Sequence, residues 1–189
     1  MVISKNSGSV NASRRQKQIE DCLYSNLLQR PYTSVSVSDL CHQMGISRKS
    51  FYNYFPDKDS CFRSIVSRKL LQCSLAVTSD RPENTTMDDG ITRLMEFWKN
   101  ERAFLDILVR NGLLVMLLDQ SIEFLKAEDK TVLKYLDTPQ LENDEFVLVC
   151  YVNTQIIMIL QWHKGNYEIP VEEMVRKYKR LVYEPLLSL

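Results

Sequence analysis

Residues 35–58 read VSVSDLCHQMGISRKSFYNYFPDK, and the spacing within this stretch decides the fold. Ser38 and Asp39 offer N-cap chemistry, and Leu40, Cys41 and Met44 make a short apolar face. Gly45 can take the positive φ that ends a helix. After a tight turn, Ser47 caps a second short helix expected over Arg48 to Phe55. Phe51 and Phe55, four apart, face inward there, while Arg48, Lys49, Tyr52 and Asn53 lie opposite. Two short helices joined in this way have the layout of a helix-turn-helix.

Working outward, Ser13 can cap a preceding helix in which Ile19, Cys22, Leu23 and Leu27 keep the spacing of one buried stripe, and Pro31 ends it. Residues 1–12, rich in Ser, Asn and Gly, read as a flexible tail. On the other side, Pro56 marks a break and Asp57 an N-cap. Cys61, Phe62, Ile65, Val66, Lys69 and Leu70 then recur at helical spacing, so a long helix is expected to run to about Val77. The stretch 78–89, with Pro82, reads as a loop.

Helical stripes follow without competition from strand alternation: Ile91, Leu94, Met95 and Trp98; Phe104, Ile107 and Leu108; Leu113 to Leu118, continuing through Ile122 and Leu125. Glu145 to Lys164 is apolar on nearly every side and closes on His163, Lys164 and Gly165. Pro170 suits the first turn of a last helix, whose Val171, Met174, Val175, Tyr178, Leu181 and Val182 share a face. The expected fold is all-α: a tail (1–12), a three-helix helix-turn-helix domain (13–58), and a helical-bundle body (59–189) entered by the long helix.

Charge divides along the same line. The chain of 189 residues has formal net charge zero, yet residues 1–70 hold 11 Lys and Arg against 5 Asp and Glu, leaving the remainder at −6. A basic head on an acidic body suits a module that meets phosphates at one end. Five cysteines, odd in number and without a C-x-x-C pair, indicate a reduced, cytoplasmic protein, and with two histidines no metal site is expected. The opening residues lack the charged-then-apolar pattern of a signal peptide, so none is expected. The apolar tract Phe146 to Leu160 is broken by Asn153, Thr154 and Gln155 and reads as too short to span a bilayer. With five glycines and no G-x-x-x-x-G-K-[ST] or G-x-S-x-G, neither enzymatic activity nor a cofactor is expected.

Gly45-Ile46-Ser47, Phe51-Tyr52-Asn53-Tyr54-Phe55 and Lys58 resemble the N-terminal signature of the TetR family of bacterial transcriptional regulators. The resemblance covers about residues 12 to 75 by motif. The chain departs from the family pattern at Arg30-Pro31-Tyr32, where a glycine is usual, and at Cys22 and Cys41, where small residues are usual. SVSDL and FYNYF are also similar to the subgroup that regulates dihydroxyacetone-kinase operons, where the effector is a partner protein.

The DNA-contact set expected from the residues and the resemblance together is Ser36, Arg48, Lys49, Ser50, Tyr52, Asn53, Tyr54 and Lys58. Arg48, Lys49, Ser50 and Asn53 are polar and near the helix start, where base edges are read. By the resemblance, Ser36, Tyr52 and Lys58 match phosphate-gripping positions. The resemblance further implies an operator-bound homodimer, paired through the last two helices, and an effector held in the body. Trp98, Phe104, Tyr151 and Gln155, mixed apolar and polar-tipped, are the candidate pocket lining. A helical adaptor acting with a partner protein is the rival reading, and salt-insensitive binding would favour it.

Overall fold

The structure is a computed structural model that describes residues 4–78, 86–127 and 144–183. Among the described residues it is all-helical: α1 (Ser4–Gln29), a 3-10 turn (Tyr32–Ser34), α2 (Val37–Met44), α3 (Arg48–Tyr52), α4 (Lys58–Thr78), α5 (Met87–Asn100), α6 (Arg102–Asn111), α7 (Leu114–Ala127), α8 (Glu145–Lys164) and α9 (Val171–Tyr183). Two compact units result, Met1–Val66 and Ser67–Leu189, and the boundary falls inside α4.

In the first unit, Ile19, Leu23 and Leu27 of α1, Leu40 of α2, Phe51 of α3 and Phe62 of α4 are fully buried. Polar ties fix the register. Asn26 and Gln43 exchange amide hydrogen bonds, Nδ2 to Oε1 at 2.7 Å and Nε2 to Oδ1 at 3.2 Å, joining α1 to α2. Glu20, 3% exposed, accepts from the Ser64 hydroxyl at 2.7 Å, joining α1 to α4. A buried carboxylate is costly without donors, so Ser64 and Gln16 beside it belong to the head's architecture.

The start of α1 differs from the sequence reading. Residues 4–12, expected as tail, are its first turns, and Ser13 lies within the helix rather than capping it. Extending an existing helix fixes only one further residue per bond, and no proline interrupts this stretch.

In the second unit, α8 packs on α5, α6, α7 and α9. It buries Leu148, Tyr151, Val152, Ile156, Ile159, Leu160, Trp162 and His163. By length and composition it could cross a membrane, contrary to the expectation that the tract is too short. The interrupting residues are accommodated within the helix: Asn153 and Thr154 donate to the carbonyls of Val149 and Cys150, one turn back, at 2.7 and 2.9 Å.

Gly165 follows α8 in a right-handed conformation, and the positive φ falls on Asn166 (53°) and Tyr167 (58°). Several contacts hold that strained pair. Tyr167 N donates to Trp162 O at 3.0 Å, its hydroxyl meets His163 Nδ1 at 2.8 Å, and Asn166 Oδ1 accepts from Arg102 at 2.8 Å. The stretch 78–89, expected as loop, contributes its last residues to α5, which opens on a capping box of Thr86 and Asp89.

Candidate nucleic-acid interface

Each end of α2 is fixed by local chemistry. Ser36, rather than Ser38, is the N-cap: its hydroxyl accepts from Asp39 N at 3.1 Å while the Asp39 carboxylate accepts from Ser36 N at 3.0 Å. At the other end Gly45 adopts φ 61°, Gly45 N donates to His42 O at 3.2 Å and Ile46 N to Cys41 O at 3.0 Å, the Schellman pattern. This reversal aims the chain into α3. There the Ser47 hydroxyl accepts from Ser50 N at 3.0 Å.

Regular α-helix ends at Tyr52, short of the expected Phe55, with Asn53 as C-cap. Pro56 disfavours helical geometry at the residue before it, which accounts for the early end. Phe51 and Phe55 still face inward together, 0% and 4% exposed with ring centroids 6.0 Å apart.

The opposite face is open. Arg48, Lys49, Tyr52 and Asn53 are exposed, with Ser50 and Tyr54 half-buried beside them. Arg48 Nη2 donates to the Tyr52 hydroxyl at 3.3 Å, and its guanidinium lies 5.9 Å from the centre of that ring. Among the described residues no carboxylate pairs with Arg48 or Lys49. Ser36 is exposed at the start of α2 and, having accepted one bond, keeps its O–H as a donor.

Lys58 is placed differently from the others. Its ammonium donates to Tyr32 O at 2.7 Å and Val35 O at 2.8 Å and sits 3.9 Å above the Tyr32 ring. Burial lowers its pKa, with Asp59 acting in the opposite direction. Two of its three N–H groups are thus spent tying the 3-10 turn to α4. The Tyr32 hydroxyl bonds the Asp59 carboxylate, and the Tyr32 ring meets Phe62 edge-on at 5.7 Å. Arg30-Pro31-Tyr32, the departure from the family pattern, therefore leads into an anchored turn.

The sequence reading missed Arg14, Arg15 and Gln18 of α1. With Asn11 and Ala12 they line a polar cleft whose other wall is Tyr54. Their i, i+3, i+4, i+7 spacing from Asn11 was the available signal.

In the second unit, Trp98, Tyr151 and Gln155 line one cavity of about 70 Å³, together with Cys73, Val77 and Ser121 among others. Phe104 does not line it and is 0% exposed in the core. The Tyr151 and Tyr178 hydroxyls are 2.7 Å apart, and Gln155 Nε2 donates to the latter. Burial pushes the Cys73 thiol up to about 12, so it lines the cavity as a small neutral group. Ser121, 7% exposed, brings a hydroxyl to the same wall.

Residues 26–65, from the last turn of α1 into α4, match the model of bacterial regulatory proteins of the tetR family. The HTH-type transcriptional regulator EthR of Mycobacterium tuberculosis (strain ATCC 25618 / H37Rv) is 33% identical over 85 residues, a match spanning 41% of this chain and 39% of that protein. The fold is shared more widely. A tetR-family transcriptional regulator from Streptomyces coelicolor superposes with TM-score 0.59 at 21% identity, over 89% of this chain and 80% of that one. The dihydroxyacetone kinase operon activator DhaS superposes with TM-score 0.52 at 14% identity, over 88% and 93%, a likeness of fold. The helix-turn-helix stretch is thus similar in sequence to the tetR family of bacterial regulatory proteins, and the chain shares the all-helical fold of a solved regulator of that family.

Proposed function

We propose that the chain is a DNA-binding transcriptional regulator that reads a near-palindromic operator as a homodimer, with Arg48, Lys49, Ser50 and Asn53 at base edges and Ser36, Tyr52, Tyr54 and Lys58 on phosphates. The observation that carries the reading is the exposed, carboxylate-free face of α3, held rigidly by the caps at Ser36, Gly45 and Ser47. One short helix reads few base pairs, so specificity calls for two copies. The apolar surface of α8 supports that pairing: Phe146 is 76% exposed and Ile157 57%, and Met158, Met174 and Leu181 of α8 and α9 line a groove. Acting on a chromosomal operator places the protein in the cytoplasm.

Effector binding in the body tunes the affinity for DNA. The cavity lining is neutral and mostly apolar, with Ser74, Ser121, Tyr151 and Gln155 as polar points, which suits an uncharged ligand. Its size supports a second reading. At about 70 Å³ the cavity is smaller than the roughly 150 Å³ that accommodates benzene, which favours a partner protein acting on the body surface.

The test is a comparison of wild type with Arg48→Ala on duplexes enriched from a random pool. The variant should lose discrimination worth about 1–3 kcal/mol at the base pair that Arg48 reads, and should retain non-specific affinity more fully. Unchanged discrimination would remove Arg48 from base readout.

A further inference from the structure

Resting on the DNA-binding reading, we propose that Asn11, Arg14, Arg15 and Gln18 of α1, with Tyr54, form a second backbone-binding site that grips phosphates of duplex DNA flanking the bases read by α3. The site is a consequence of how α1 is buried. Ile19 and Leu23 are fully enclosed, and Gln16 faces inward to Ser64 at 3.3 Å and Glu20 at 3.4 Å. That leaves the i, i+3, i+4, i+7 set Asn11, Arg14, Arg15 and Gln18 along another face, and these residues line the polar cleft that Tyr54 closes.

Every long side chain there donates hydrogen bonds, and none of the lining residues is acidic. Arg14 and Arg15 are exposed, and no carboxylate pairs with either among the described residues. The surrounding sequence reinforces the field: Lys5, Arg14, Arg15 and Lys17 precede Glu20, the first acidic residue of the chain. Tyr54 joins the cleft to the reading element, because it follows α3 by two residues. Arg14 and Arg15 are consecutive, so their side chains leave the helix about 100° apart, and on long flexible stems the two guanidiniums can serve different phosphates. Arginine suits the task through its planar fork. An open cleft continuous with α3 fits a polyanion lying across the head better than a small enclosed anion.

The experiment measures affinity against salt concentration for the full chain and its R14Q/R15Q variant, using a pool-enriched duplex and a random-sequence duplex. The variant should give a slope of log K against log salt shallower by about 1.8, roughly 0.9 for each lost phosphate contact, and a protected footprint shortened at its flanks. Its preference among sequences should persist. R14K/R15K, which keeps the charge, should restore most of the slope, and a circular dichroism melt matching wild type shows that the fold is kept. If wild type binds duplex with specificity while R14Q/R15Q leaves slope and footprint unchanged, this inference falls and the function of α3 stands. If wild type shows no salt-sensitive duplex binding, both fall together.

Discussion

Asp39 shows how much of the head rests on single atoms. Its carboxylate accepts the Ser36 N–H and faces Arg30 at 3.4 Å, and the Ser36 hydrogen bonds, more than Arg30, hold its pKa below the ordinary aspartate value. In the window between that lowered value and about 3.9, the unfolded chain binds the proton first, so stability rises with pH there and is lost as pH falls. Urea midpoints at pH 6 and pH 3 should show a smaller fall for Asp39→Asn than for wild type. Asp57, Asp89 and Glu173 are lowered in the same direction, so part of the fall remains in the variant. An equal fall in both proteins would contradict the role of Asp39. Some residues were legible because their partners are close in sequence: Asp57, read as an N-cap, accepts from Ser60 N. Lys58 was not, because the carbonyls it bonds lie 26 and 23 residues away. Phe104 failed as a pocket candidate because aromatic character alone does not separate cavity wall from solid core.

At the scale of elements, the turn between α2 and α3 sets the angle at which the reading face is presented. Gly45 at φ 61° makes that turn, and a Cβ added there would meet nothing within 4 Å. Gly45→Ala should therefore cost about 1 kcal/mol through backbone strain alone, with Gly45→Asn costing less, measured as shifts in denaturant midpoint. A neutral Gly45→Ala would show that the turn does not need its left-handed residue. Elements with chemical signals at both ends were readable from sequence: α8 spans Glu145–Lys164 as expected, opened by Asp144 accepting from Val147 N at 3.1 Å. The start of α1 carries no such signal, since Ser13 is a plausible cap that the helix runs through. That missed beginning also hid the cleft on α1, because Arg14 and Arg15 line it together with Tyr54, some 40 residues on.

For the whole molecule, the proposed operator reading needs two copies. In the proposed dimer, the exposed stripe of α8 at Phe146, Cys150 and Ile157 is the apolar surface offered for pairing. Ile157→Glu should shift sedimentation from dimer to monomer and weaken binding to a two-half-site duplex far more than to a single half-site. Dimer retention by this variant would move the interface elsewhere. The fold class and the split between basic head and acidic body were legible because periodicity and charge are local sums. The extent of the cavity was not, since its lining comes from α4, α5, α7 and α8. The most direct measurement is sequencing of duplexes retained from a random pool by the full chain at moderate salt. The account predicts an inverted repeat with half-site centres about one helical turn, or a multiple of it, apart. Enrichment of no sequence, with only salt-labile binding, would contradict operator reading by α3.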